Sequence, residues 1–392
     1  MTHGVNPTGG TRLKQSLIDL SIEVQIWLLG SALPLWQTRG VDTVHGGFVE
    51  WIGQDGVPLP GAKRCYPQAR QIYVFAQAGL MGWNGPWLEI VEQGVDFFLR
   101  AFPREDGLMR LRVSADGTAE DETPRLYDQA FALLLLATAR RVLPDRADLE
   151  TRAVRLLDRL KSDRRAPAGG FVEVVGQPFY ANPNMHLLEA SLAWAEISDD
   201  PAWGAVADEI AELAMAKFID PDGGFLREYF DAAWTPAPGD DGRLVEPGHQ
   251  FEWAWLLMTW SRQRGRPESL AAAAKLYEVG RIGVDKARGV AINALWDDLT
   301  IRNADARLWP QTEWMKAAVA MARLAEPGSP ARARFRADAA SSVRGLNAYL
   351  NTPVAGLWRD VYQADGSFAD GPAPATSFYH IVCAISELRT LA

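Results

Sequence analysis

Cysteine is nearly missing from this chain. Two residues, Cys65 and Cys383, stand among 392, too few for a disulfide framework or a cysteine-built zinc cluster. Basic excess is missing too: 40 Lys and Arg against 49 Asp and Glu leave a net charge of −9, which argues against nucleic acid or an anionic membrane as partner. No apolar run reaches the roughly 20 residues that span a bilayer; the longest candidate is 130–139. The opening MTHGVNPTGGTRLKQ lacks the charged-then-apolar pattern of an export signal, and no Pro/Ser-rich linker divides the chain. These absences predict a cytoplasmic globular protein with one domain over 1–392, residues 1–12 forming a flexible tail that carries His3.

What is present is a repeat. Helical periodicity predicts twelve segments, at 13–38, 65–82, 85–102, 125–142, 145–162, 184–198, 201–218, 247–264, 267–284, 309–325, 329–350 and 374–391. A glycine turn followed by an apolar residue recurs between pairs: Gly46-Gly47-Phe48, Gly107-Leu108-Met109, Gly169-Gly170-Phe171, Gly223-Gly224-Phe225, Gly289-Val290-Ala291 and Gly356-Leu357-Trp358, spaced 54 to 67 residues apart. Short β-like stretches follow several turns, such as Phe48-Val49-Glu50-Trp51 and Phe225-Leu226-Arg227-Glu228-Tyr229. Open solenoids usually have shorter repeats and polar end caps. Here the units are long and the last helix is apolar in its C-terminal half. The expected fold is therefore all-α: a closed (α/α)6 barrel of six helix pairs, with short β-hairpin-like loops at one mouth.

One helix of each pair is the more apolar, and should form the inner ring. These helices also carry polar residues near their starts: Arg70; Tyr127 and Asp128; Asn182, Asn184, His186 and Glu189; Glu246, His249, Glu252 and Trp253; Trp309, Gln311 and Glu313; Tyr379 and His380. Parallel inner helices would gather them at one mouth, with His45 beside it. Buried polar groups cost free energy unless paired, so packing alone is a poor explanation. A lone buried histidine is more often a hydrogen-bonded structural residue than a catalyst, and the His-x-x-Glu spacings at His186/Glu189 and His249/Glu252 also suit a local ion pair. A metal held by His186, His249 and Glu252 is the competing reading, but no His-Glu-x-x-His signature supports it; the expectation is no metal and no cofactor.

The segments ARQIYVFA (69–76), YDQAFALLLLA (127–137), NPNMHLLEA (182–190), EPGHQFEWAWLL (246–257), WPQTEWMKA (309–317) and FYHI (378–381) resemble the N-acylglucosamine 2-epimerase superfamily, in order and spacing over nearly the whole chain. Within it, the Glu246-Pro247-Gly248-His249-x-Phe251-Glu252-Trp253 form is most similar to the mannose isomerase branch. The resemblance implies an (α/α)6 barrel that moves a proton between neighbouring sugar carbons through a cis-enediolate. It assigns His249 and His380 as the acid/base pair, His186 to ring opening or the O1/O5 end, and Glu252 to orienting His249. Arg70 would stabilise the enediolate oxygen and Glu313 would assist proton handling or bind a hydroxyl. Tyr127, Asp128, Asn182, Trp253 and Trp309 are expected to contact the sugar. Histidine suits such work because it titrates near neutrality.

D-Mannose to D-fructose is the expected reaction, on a free monosaccharide, by a monomer or homodimer. Few arginines beyond Arg70 and Arg64 stand near the mouth to hold a phosphate or sulfonate. A 2-epimerase or sulfoquinovose-type isomerase on the same scaffold is the alternative. A glycoside hydrolase would need two carboxylates across a sugar bond, from Asp128, Glu252 and Glu313. A non-catalytic sugar-binding protein would leave the three histidines unexplained.

Overall fold

Two kinds of helix follow from two kinds of sequence. In the computed structural model, which describes residues 16–174 and 179–391, helices with charged outer faces alternate with helices apolar on nearly every side. The expected tail at 1–12, with His3, lies outside the described residues. Among the described residues the outer helices are α1 (Leu17–Gly40), α3 (Trp87–Ala101), α5 (Asp148–Asp163), α7 (Pro201–Leu213), α9 (Ser269–Ile282) and α11 (Pro330–Leu350). The inner helices are α2 (Cys65–Leu80), α4 (Leu126–Val142), α6 (Ala181–Ala195), α8 (Pro247–Arg264), α10 (Trp309–Leu324) and α12 (Ala375–Leu388). Helix α5 buries only Leu149, Ala153, Leu156, Leu157 and Leu160, the stripe of an amphipathic surface helix. Helix α4 buries every residue from Asp128 to Ala139, as an element enclosed on all sides must.

The inner ring closes. Each inner helix packs on the next, α2 on α4, α4 on α6 and so on, until α12 returns to α2. Every outer helix packs on an inner one: α3 on α2, α5 on α4, α7 on α6, α9 on α8, α11 on α10, and α1 on α12 and α11. This is the expected (α/α)6 barrel. The strands are short antiparallel pieces, such as Phe179–Tyr180 with Tyr229–Phe230 and Leu244–Val245 with Ala294–Trp296.

Helix α1 differs from the sequence reading in extent and character. It continues through two wide π turns, Leu28–Ala32 and Trp36–Gly40, on either side of Pro34, whose missing N–H already interrupts the α-helical ladder. An 18-residue window within Leu17–Gly40 reaches a mean hydropathy of 1.3, but Asp19 and Glu23 interrupt the segment, so it is not a continuous apolar run. Here Leu20, Val24, Leu28 and Trp36 are buried, and Trp36 stacks on Trp358 at 4.9 Å.

The glycine turns are tied to the inner helices by side-chain amides. Gln68 accepts from the Phe48 N–H and donates to the Phe48 carbonyl. Gln129 holds Met109 in the same way, Asn184 holds Phe171, Gln250 holds Leu226 and Gln311 holds Ala291. Each amide satisfies a donor and an acceptor of buried hairpin backbone that helix or sheet ladders leave open. The sixth repeat replaces the clamp with rings: Phe378, at the corresponding place in α12, packs on Trp358 and Trp36. Glycine is required beneath the first of these clamps. At Gly47 φ is +71°, and a Cβ would stand 2.6 Å from Gln68 Oε1 and 2.7 Å from the Phe97 ring. Asn184 and Gln311, read from sequence among the converging mouth residues, are therefore spent on hairpin backbone.

Candidate active site

The clamp residue sets a common phase for the six inner helices, and helical geometry sorts the rest into layers. Two residues before it stand Tyr66, Tyr127, Asn182, Gly248, Trp309 and Thr376, at the mouth. Two residues after it stand Arg70, Phe131, His186, Glu252, Glu313 and His380. A cavity of about 450 Å³ opens over this second layer, lined by members of both. His186, His249 and His380, far apart along the chain, all line it, as do Glu252, Arg70, Tyr127, Asn182 and Trp309.

Each imidazole is held by a different carboxylate. His380 Nδ1 lies 2.8 Å from Glu313 Oε1, and His186 Nδ1 lies 3.0 Å from Glu189 Oε2. Tyr379 OH donates to the other oxygen of Glu189. His249 Nδ1 faces two carboxylates, Glu228 and Glu246, at 3.0 Å each. These partners separate the three protonation states. Burial, and then the Arg70 charge, hold His380 down at about 3 against the pull of Glu313. Burial likewise holds His186 at about 4 despite Glu189. Burial also works against a charged His249, but Glu228 and Glu246 outweigh it and raise its pKa well above the ordinary value. At neutral pH the cavity thus presents one imidazolium and two neutral imidazoles. His249 and His380 flank Trp309, whose ring centroid is 4.9 Å from the first and 5.9 Å from the second.

Arg70 is 4% exposed and has no ion pair among the described residues. It donates to the Thr376 carbonyl and to Tyr127 OH, within a collar of Tyr66, Tyr127, Phe131 and Tyr379 rings. Its Nε, like Asn182 Oδ1 and Glu228 Oε1, is buried without a hydrogen-bond partner among the described residues. Such unspent groups are what a polyhydroxylated ligand requires.

Several expected contacts are placed elsewhere. Trp253 is fully buried outside the cavity, edge-on to Phe218 at 5.9 Å; it is the residue after Glu252 and so points away from the axis. Asp128 is also fully buried behind the wall, accepting from the Tyr66 N–H and from Arg125. Glu252 does not orient His249 through Nδ1, because Glu228 and Glu246 occupy that side. Instead burial, and then Glu313, raise the Glu252 carboxyl to about 8, so it is protonated at neutral pH. Glu313 stands behind His380 and does not line the cavity. His45 is exposed beside Asp42 and does not line the cavity.

Sequence reading missed Glu173, Glu228 and Lys316. A signal for the first two existed in the repeat. Two residues after each clamped residue, and after Trp358 in the sixth repeat, come Glu50, Leu111, Glu173, Glu228, Asn293 and Asp360, polar in all but one. Lys316 follows Glu313 by three residues, which puts both on one helix face.

Three His/Glu groups bring their ligand atoms within 4.8 Å of one another: His186, Glu189 and Glu252; Glu228, Glu246 and His249; and Glu252, Glu313 and His380. In the first and third, Nδ1 is already committed to a carboxylate. In the third, the Lys316 ammonium also stands 2.8 Å from Glu313, where it would repel a second cation. The middle group carries the charge pattern of an imidazolium between two acids.

Residues 46–384 match the model of the N-acylglucosamine 2-epimerase (GlcNAc 2-epimerase) family. A protein of Rhizobium meliloti (strain 1021) named mannose-6-phosphate isomerase is 46% identical over 373 residues, 94% of this chain and 96% of its own. A crystal structure of D-mannose isomerase superposes with a TM-score of 0.86 at 19% identity, covering 98% of this chain and 100% of that one. Cellobiose 2-epimerase from Spirochaeta thermophila DSM 6192 gives 0.84 at 22% identity, covering 97% and 99%.

Proposed function

Since the chain belongs to the N-acylglucosamine 2-epimerase family, whose relatives here are carbohydrate isomerases and epimerases, we propose that it is an aldose–ketose isomerase converting D-mannose to D-fructose. One observation carries this reading: a neutral His380 and a charged His249 stand on either side of Trp309 over one cavity.

The chemistry follows from those two states. His380, its Nδ1 held by Glu313, takes the C2 proton of the open-chain aldose through Nε2, while the His249 imidazolium gives a proton to O1. The C2–H bond breaks and an O1–H bond forms, leaving an enediol. Delivery of the His380 proton to C1, with return of the O2 proton to His249, completes the ketose. Charge developing on the enediolate oxygen falls beside Arg70. The same guanidinium depresses His380, so proton uptake by the base and charge growth on the sugar offset each other. His186, held by Glu189, is assigned to the ring-oxygen end of the sugar. Protonated Glu252 supplies a hydrogen-bond donor to a hydroxyl, and Asn182, Tyr127 and Trp309 form the wall against which the sugar lies.

Two further readings rest on specific observations. The Rhizobium meliloti relative's name favours mannose 6-phosphate, and Arg125 and Arg307 at the rim are the groups that would meet a phosphate. Against it, Arg125 is tied to Asp128, and Glu173, Glu228 and Glu246 line the same mouth. A 2-epimerase would return the proton to the opposite face of C2 from the same intermediate.

Chelator-treated protein in heavy water, given mannose, mannose 6-phosphate, lyxose and cellobiose side by side, separates these outcomes by NMR. Fructose carrying deuterium, lost in His380→Ala and in His249→Ala, is the expected result. Absence of both ketose and carbon-bound deuterium from every aldose would refute it, and release of a monosaccharide from cellobiose would point to a hydrolase.

A further inference from the structure

Five residues beyond the clamp, the inner helices place a third layer beneath the cavity floor: Tyr73, Leu134, Glu189, Trp255, Lys316 and Cys383. Lys316 is 1% exposed. Its Nζ lies 2.8 Å from Glu313 Oε2 and 4.1 Å from the centre of the Trp255 ring. The other oxygen of Glu313 is the one that meets His380 Nδ1. Burying an ammonium is costly, and an apolar side chain of similar length would fill the same space. The charge therefore calls for a reason.

We infer that Lys316 is a positioning residue for the base: it keeps Glu313 an acceptor-only carboxylate, which obliges His380 to carry its proton on Nδ1 and to turn a bare Nε2 toward the cavity. This rests on the reading of His380 as base. An ionised carboxylate can only accept, and a neutral imidazole has one N–H and one lone pair, so the partner of Nδ1 decides the tautomer.

The groups around Glu313 make its ionisation conditional. Glu252 faces it from α8, and Glu189 lies in the layer below on α6. His380 and the un-ionised Cys383 face it from α12, and Arg70 on α2 acts on His380. Burial pushes the Glu313 carboxyl up; the Lys316 charge, with the His380 hydrogen bond, brings it down to about 2. Without the ammonium, Glu313 is a buried acid beside other acids. It takes up a proton, donates its O–H to Nδ1, and the His380 proton moves to Nε2. The ring stays neutral and in place but has no lone pair for the substrate.

Histidine-labelled ¹⁵N NMR reads the tautomer with no sugar present. The wild type is expected to show His380 as the Nδ1–H form from about pH 6 to 9. Lys316→Met is expected to show Nε2–H at pH 7, reverting as Glu313 ionises at higher pH, while Lys316→Arg keeps Nδ1–H. In turnover, Lys316→Met should lose about 100-fold or more in kcat at pH 7 with KM changed by less than about threefold, and recover as pH rises. A purely structural role would not restore activity with pH. Adding Lys316→Met to Glu313→Gln should cost nothing further. This uncharged pair also carries the test if Lys316→Met alone does not fold. A persisting Nδ1–H tautomer, a kcat within about threefold of wild type, or a further loss in the double variant overturns the inference. A wild type that isomerises nothing sinks the function proposed above, yet the NMR result still decides what Lys316 does to His380.

Discussion

Glu228→Gln is the sharpest probe of the acid half of the site. The substitution keeps the shape and a hydrogen-bonding oxygen while removing one of the two charges 3.0 Å from His249 Nδ1. Unit charges about 4 Å apart at an effective dielectric near 20 attract by on the order of 4 kcal/mol. At about 1.4 kcal/mol per pKa unit, that bounds the loss near 3 units. Glu246 remains at 3.0 Å and is relieved of its acidic neighbour, so a drop of about 1–2 units is expected. In the proposed reaction the working form of His249 is the imidazolium, so activity should fall as pH rises through its pKa. In the wild type that limb lies well above the ordinary histidine value; in the variant it moves down, and the alkaline half of the kcat/KM profile is lost first. Stability follows the same sign. A folded-state pKa raised above the unfolded one contributes stability in full below about pH 6.5, and that contribution disappears as pH climbs through the folded value. The wild-type advantage in thermal melts should therefore be greatest near pH 6–6.5 and shrink toward alkaline pH. An alkaline limb that stays put in Glu228→Gln, with the protein folded, would refute the assignment of His249 as the charged acid.

Trp253→Phe should leave kcat and KM within about twofold because its ring packs on Phe218 outside the cavity, whereas Trp309→Ala, which removes the wall between His249 and His380, should raise KM by about tenfold or more; steady-state kinetics on both compares them directly. Gln129→Leu leaves the buried Met109 N–H and carbonyl without their clamp and should cost on the order of 2–6 kcal/mol in urea unfolding, with the pH profile of turnover unmoved; an unchanged midpoint would show that the clamps are dispensable.

Much of the architecture was legible because it repeats. The six glycine turns, the apolar inner helices and the polar residues at their starts follow from local periodicity, and a period of 3.6 already sends Arg70, His186, Glu252 and His380 to equivalent places. Even Glu228 and Lys316 had a signal, in the phase of the repeat and in an i, i+3 spacing. Trp253 and Asp128 misled because aromatic and acidic residues in a motif look the same whichever face they occupy, and one residue along a helix turns a side chain by about 100°. Asn184 and Gln311 misled because a buried amide that clamps a hairpin and one that binds a ligand are the same amide.

What the amino-acid order determined by itself is the twelve-helix alternation, the turns and the set of histidines available for proton transfer. Closure of the ring decided the rest: Glu189 and Glu246 are local, i, i+3 partners of their histidines, but Glu228 and Glu313 are brought in by the fold. His249 meets Glu228 across a hairpin and His380 meets Glu313 from the neighbouring helix. Protonation state depends on burial and on charges a few ångströms away, and the neighbours Glu228 and Glu313 come from other segments of the chain, so only the folded barrel charges one histidine and leaves another neutral.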